Sequence, residues 1–198
     1  MPSRPSPSPC RRAPAPRPGR RRRPARVRLR AATLEDLDTL VRHRRAMWVE
    51  LRAPPKRDLD RHDVVYRRWL RREMRAGRFL ARIALAPSGE VAGSGALWLM
   101  PSQPRPGPLG RPVIPYVLSM YTEPGSRGLG AATAIVEALV RWSTRKGFRR
   151  IVLHASTMGR PIYARLGFEA GSEMRLELPR RRRPPARRPR PSGRRRAV

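Results

Sequence analysis

The spacing of apolar and polar residues changes character along the chain. No periodicity is present over residues 1–26. From there Val27-Arg28-Leu29-Arg30 alternates apolar and basic residues, as a half-buried strand does. Thr33 then opens a Thr-Leu-Glu-Asp sequence whose hydroxyl can cap a helix, with Glu35 and Asp36 in the first turn. Leu34, Leu37, Val41, Trp48 and Leu51 recur at near-helical spacing, and Pro54-Pro55 ends that helix. The spacing predicts a second helix over residues 62–76, with Val65, Trp69 and Met74 on one side and a stop at Gly77.

Strand-like segments follow at residues 79–86 and 90–100, joined by Pro87-Ser88-Gly89 as an antiparallel hairpin. Residues 101–112 are rich in Pro and Gly and read as a loop. Residues 113–122 read as another strand, in which Pro115 calls for a bulge or a late start. Residues 128–146 have helical periodicity through Leu129, Thr133, Val136, Leu139, Val140 and Ser143, closed by Lys146-Gly147. A short strand at 151–155, a short helix from Pro161 to Leu166-Gly167, and paired final strands at 168–169 and 174–178 complete the pattern. This order predicts a mixed sheet in an α/β or α+β layered domain, because parallel pairing arises only around the crossover helices.

Charge separates the ends from this domain. The 198 residues carry 46 Lys plus Arg against 14 Asp plus Glu, a net charge of +32. Eight Arg without an acid lie in residues 1–25 and ten Arg without an acid in residues 179–198, and the two stretches hold 13 of the 24 prolines. Such composition cannot bury enough apolar surface to offset its ordering entropy, so disordered tails are expected at 1–26 and 179–198 around a domain at 27–178. Of the 46 basic residues 44 are Arg, which suits GC-rich coding as well as nucleic-acid binding by the tails. Neither tail contains Phe, Tyr or Trp, which removes base stacking from the second reading.

Cys10 alone cannot form an intrachain disulfide, and His43, His62 and His154 lack ligand spacing, so no metal is expected. The nearly apolar run at 91–100 is far short of the roughly 20 residues that a membrane span needs. The basic N-terminus leads into no apolar stretch. A cytoplasmic protein without membrane association is the expectation.

The chemistry concentrates at residues 121–132. A strand ends, a glycine-rich turn follows and a helix begins, so unpaired N–H groups meet the positive end of the helix dipole and form an anion site. No Lys-Ser or Lys-Thr follows, which excludes a Walker A loop. A dinucleotide fingerprint fits poorly this late in the chain, after a hairpin.

Arg127-Gly128-Leu129-Gly130-Ala131-Ala132 resembles the RxxGxA signature of the GCN5-related N-acetyltransferase (GNAT) family. The stretch at 156–168, with Ser156, Tyr163 and Leu166-Gly167-Phe168, is similar to that family's terminal motif. The resemblance spans about residues 27–178 and implies a mixed, mostly antiparallel sheet flanked by helices, with acetyl-CoA as cosubstrate. It also implies that backbone N–H groups around Arg127, Gly128, Leu129, Gly130, Ala131 and Ala132 hold pyrophosphate, and that Met120, Tyr121 and Thr122 pair with pantetheine. Tyr163 stands at the general acid's place. Ser156 stands where many members have a cofactor-contacting asparagine.

The implied reaction is direct attack by a primary amine of a small molecule or peptide. A lysine-like amine, with a pKa near 10.4, must first lose a proton. Glu123, Glu50 and His154 are the candidate bases. Glu123 adjoins the anion turn, where phosphate would repel it, and His154 is alone on a strand. The acceptor is not legible, and oligomeric state is open, a homodimer included. The rival classes are an acyl-CoA sensor without turnover and a nucleic-acid-associated protein using its tails. Finally, residues 27–37 look like the way members of the family begin, and valine is what an internal GTG start becomes when an upstream start is chosen. Residues 1–26 are therefore expected to lie outside the functional protein; the rival is a basic arm for an acidic partner.

Overall fold

The computed structural model describes residues 27–52, 54–103, 112–174 and 176. The expectations for 1–26 and 179–198 concern residues outside that set. Five strands, β1 (Arg28–Ala31), β2 (Phe79–Leu85), β3 (Val91–Pro101), β4 (Val113–Thr122) and β5 (Val152–Leu153), form one sheet in the order β1-β2-β3-β4-β5. The first three pairings are antiparallel and β4 with β5 is parallel, giving the mixed sheet expected.

Helices α1 (Leu37–Arg52) and α2 (Lys56–Arg75) follow β1; α3 (Ala131–Arg145) connects β4 to β5, and α4 (Arg160–Arg165) comes after β5. One apolar cluster joins Leu37, Leu40 and Val41 of α1 and Tyr66 and Leu70 of α2 to Phe79, Ala81, Ile83 and Ala96. A second joins Ala131, Ile135 and Leu139 of α3 to Ala84, Ala92, Leu97 and Val117. Neighbours on a strand, Ile83 with Ala84 and Ala96 with Leu97, go to different clusters, because successive side chains point to opposite faces. Helices therefore cover both faces, and β3 is buried almost continuously.

Thr33 caps as expected. Its hydroxyl accepts from the Glu35 N–H, while its own N–H donates to Asp36 Oδ2 at 2.8 Å, a reciprocal box that opens a 3-10 turn (Leu34–Asp36) ahead of α1. Other boundaries differ. Pro55 immediately precedes α2, which begins six residues before position 62, since proline's fixed φ suits a helix entry as well as an exit. The buried residues of α2 are Leu59, Tyr66, Leu70 and Glu73; Trp69 and Met74 pack against the first cluster as expected, and Val65 is exposed. Glu73 is held by Arg78, Arg72 and the Trp98 indole N–H, and those bonds, Arg78 first, take its carboxyl down to about 2 against the opposing effect of burial.

Pro115 neither bulges nor delays β4. It pairs with Leu99, whose N–H bonds Arg78 O on the β2 side, so Pro115 faces Leu99 at a non-hydrogen-bonded position and no bond to β3 is lost. The bulge lies further on, where Ser119 and Met120 together oppose Gly95. The chain divides into two units, Met1–Phe168 and Glu169–Val198. The strand pair expected at 168–169 and 174–178 is not formed among the described residues, and 175, 177 and 178 lie outside them.

Candidate active site

Strand β5 pairs with β4 at Tyr116 and Val117, and beyond them β4 runs on to Thr122 without a partner on that side among the described residues. The parting strands leave backbone groups of residues 118–122 facing a cleft of about 410 Å³. Its walls are this free edge, the turn before α3, residues of the α4 segment, and Met47, Glu50 and Leu51 from α1.

Ser119 has φ 52, the one positive value on a non-glycine residue among those described, and its hydroxyl lies 3.5 Å from Tyr66 Oη. The bulge that re-aims β4 also depends on Gly95, where an added Cβ would overlap Met120 Sδ and come within 2.9 Å of Ile135 Cγ2. The Gly-Ser-Gly run of β3 is thus matched to the distortion opposite it.

At the cleft's next wall, a 3-10 turn (Pro124–Ser126) leads into Gly128 and Gly130, with φ 84 and 81. These left-handed values strain any residue with a Cβ. Arg127 N–H bonds Pro124 O and Leu129 N–H bonds Ser126 O, which uses two amides inside the turn. Gly128 and Gly130 N–H have no acceptor among the described residues, and Ala131, Ala132 and Thr133 are first-turn amides of α3 that lack one by helix geometry. All five residues line the cleft, whereas Leu129 is 42% exposed and does not. Free amides at the positive end of α3 suit a phosphate group.

The terminal motif builds the opposite wall. Phe168 N–H bonds Tyr163 O at 3.0 Å and Gly167 N–H bonds Ala164 O at 3.0 Å, with Gly167 left-handed, so Leu166-Gly167-Phe168 closes α4 as a Schellman motif. The accompanying apolar contact is Phe168 edge-on to Tyr163, ring centroids 5.8 Å apart. Gly159 lets the Tyr163 ring approach; its N–H bonds Ser156 Oγ at 3.1 Å, so Ser156 pins the turn while lining the cleft. Burial raises the Tyr163 pKa, which keeps the phenol a proton donor at neutral pH.

Met120, Tyr121, Thr122, Arg127, Gly128, Gly130, Ala131, Ala132, Ser156 and Tyr163 therefore come together around one cavity. Among the candidate bases Glu50 and His154 line it, Glu50 bonded to Arg127 Nη2 at 2.6 Å and His154 to the Tyr116 hydroxyl. Glu123 instead bonds Arg42 at 2.5 Å and His43 Nε2 at 3.0 Å. Burial pulls its pKa up, but the hydrogen bond and charge of Arg42 outweigh that and leave it below the ordinary value.

His43 was legible only as a residue without ligand spacing. It is fully buried, with Nδ1 2.7 Å from Ser94 Oγ, and ties α1 to β3 and to the end of β4. Nε2 is also 3.1 Å from Arg42 Nη2, so it faces one group that only accepts and one that only donates. The tautomer that bonds Glu123 leaves Nδ1 to accept from the Ser94 hydroxyl, while the one that bonds Arg42 has Nδ1 donate to it. Burial, then the Arg42 charge, lowers the His43 pKa and keeps the ring neutral.

The model of the acetyltransferase (GNAT) family matches residues 41–168. A GCN5-related N-acetyltransferase structure from Ralstonia eutropha JMP134 is 26% identical, with a TM-score of 0.68 over 77% of this chain and 98% of that one. A protein from Clostridium acetobutylicum, described as a predicted acetyltransferase and solved with acetyl-CoA, is 27% identical, with a TM-score of 0.66 over 77% and 96%. An acetyltransferase from Trypanosoma brucei is 25% identical, with a TM-score of 0.56 over 77% and 99%. No curated protein matches the chain.

Proposed function

Because the chain belongs to the acetyltransferase (GNAT) family, which uses acetyl-CoA, we propose that it passes the acetyl group directly to a primary amine. The observation that carries this reading is the meeting, in one cleft, of free amides at the α3 N-terminus, an unpartnered β4 edge and a protonated phenol.

Acetyl-CoA supplies a thioester that an amine can open. The N–H groups of Gly128, Gly130, Ala131 and Ala132 hold its pyrophosphate, as the dipole of α3 favours. Arg127 contributes by shape, since its guanidinium bridges Glu50 and Thr122 O across the turn. Met120, Tyr121 and Thr122 offer backbone groups to the pantetheine amides, and an N–H on the same edge meets the negative charge that builds on the carbonyl oxygen. Tyr163 donates toward the departing sulfur, and Ser156 keeps its turn in place. The amine's proton passes by way of water to Glu50 or His154, the two candidates at the cavity wall.

A screen for free thiol release from acetyl-CoA over amines, amino acids, aminoglycosides and peptides tests this. Amine-dependent release supports transfer. Tight acetyl-CoA binding without release by any amine overturns it in favour of a sensor.

A further inference from the structure

A second cleft opens on the other side of the β4 bulge. Arg44, His62, Val65, Tyr66, Trp69, Trp98 and Leu118 line about 330 Å³, a volume at the small-ligand end of the usual range. Leu118 lines both cavities, and the Tyr66 hydroxyl meets Ser119 of the first, so the two adjoin at the bulge.

Its walls are aromatic and fixed. Trp69 stacks on Tyr66 at 5.7 Å and stands edge-on to Trp98 at 5.4 Å, while the Trp98 indole N–H is bonded to Glu73. The Arg44 guanidinium lies 4.1 Å from the Tyr66 ring centroid. Neighbouring Arg45 takes both Asp60 and Asp63, and Arg44 has no ion pair or hydrogen bond among the described residues. The Asp63 carboxylate, bonded to Arg45, reaches the half-buried Arg44 only through its charge, and no acidic side chain among the described residues lines the cleft. A guanidinium held over an aromatic face keeps its edge for a planar anion.

We propose that this cleft selects the acceptor, and that the acceptor is an aromatic amino acid or a close analogue. Its ring packs among Trp69, Trp98 and Leu118, its carboxylate pairs with Arg44, and its amine faces the bulge. The proposal rests on the acetyl-transfer reading above. It excludes polycationic acceptors, which Arg44 repels.

Thiol release with L-phenylalanine and L-tryptophan, compared with their carboxamides, L-alanine, a polyamine and an aminoglycoside, tests it. We expect kcat/KM for the free acids to exceed that for the amides about 10- to 100-fold, the range for a hydrogen-bonded charge pair. Arg44→Gln should collapse that ratio mainly through KM, and Arg44→Lys should restore part of it. Equal rates for acid and amide, or equal losses for both in Arg44→Gln, overturn the proposal. Release with the other amines alone overturns it and leaves acetyl transfer standing. If no amine releases thiol, transfer fails, and calorimetry with N-acetyl-L-phenylalanine judges the cleft separately. Binding that Arg44→Gln weakens then keeps the ligand class, and no binding to either protein ends it.

Discussion

His43 and Glu123, 80 positions apart, meet with Nε2 3.0 Å from Oε1, and the other ring nitrogen is 2.7 Å from Ser94 Oγ. This chain of bonds fastens α1 to the two strands that frame the bulge, so its protonation state bears on stability. The folded protein holds His43 below its ordinary pKa of about 6.5, so the unfolded chain takes up the proton first. Stability should then be fully present above pH 6.5 and fall as pH drops below it, levelling at the folded-state pKa. Glu123, also lowered, adds a loss of the same sign only below the carboxylate range of about 4.3. Urea unfolding between about pH 7.5 and pH 5 should show a flatter slope for His43→Gln than for the parent, with a general loss of about 1–3 kcal/mol. Equal slopes would mean that His43 does not titrate on unfolding.

The bulge gives a second prediction. Gly95→Ala places a methyl group on Met120 Sδ and against Ile135, and the bulge must shift to admit it. Overpacking of this kind costs about 1–3 kcal/mol. We expect a lower Tm together with weaker acetyl-CoA binding, because residues 118–122 move with Met120. Native affinity by calorimetry would separate the bulge from the cofactor site. Gly89→Ala, at positive φ in the β2–β3 hairpin, should lower Tm without changing affinity.

How far the sequence carried this picture depended on how local each feature is. The turn at Gly128 and Gly130 and the closure of α4 at Gly167 rest on backbone rules acting within a few residues, and both were legible. On α2, Trp69 and Met74 pack against the core as their spacing predicts, but Val65 is exposed, and Glu73, which a periodicity count scores as exposed, is buried by Arg78, Arg72 and Trp98. Pro54-Pro55 ends one helix and Pro55 also starts the next, a double role that the sequence rule for proline does not separate. The partners of His43 are not legible, because Ser94 is 51 positions away and Glu123 is 80, so no spacing reveals them. The second cleft was invisible for the same reason: Arg44, Trp69 and Trp98 come from three elements.

At the anion turn, charge and backbone strain can be told apart. Apart from its chain neighbours, a Cβ at Gly128 or Gly130 meets nothing within 4 Å among the described residues, so substitution acts through the left-handed φ and through the new side chain's charge. Asn tolerates this conformation better than most residues and is the neutral counterpart of Asp. Gly128→Asp and Gly130→Asp should abolish acetyl-CoA binding, and the Asn variants should bind with intermediate affinity. Calorimetry giving the same affinity for Asp, Asn and Gly would remove pyrophosphate from this turn.

Tyr163 offers the cleanest test of chemistry against packing. Its ring is held by Phe168 and lies over Gly159, and phenylalanine preserves both contacts while deleting only the hydroxyl. Proton transfer from a phenol of pKa about 10 to a thiolate whose acid has a pKa of about 8.5 is uphill by about 2 kcal/mol, and burial of Tyr163 widens the gap. The hydroxyl therefore works as a hydrogen-bond donor that strengthens as the sulfur gains charge, with solvent completing protonation. An interaction made only as the bond breaks lowers kcat when removed and leaves ground-state binding alone. Tyr163→Phe should lose about 10- to 100-fold in kcat, the worth of a hydrogen bond to a charged group, with acetyl-CoA affinity and Tm close to the parent's. A thiol leaving group made more acidic by fluorination near the sulfur should shrink that loss, because a weaker base needs less help to depart. Unchanged kcat in a natively folded Tyr163→Phe would reduce the residue to a packing role.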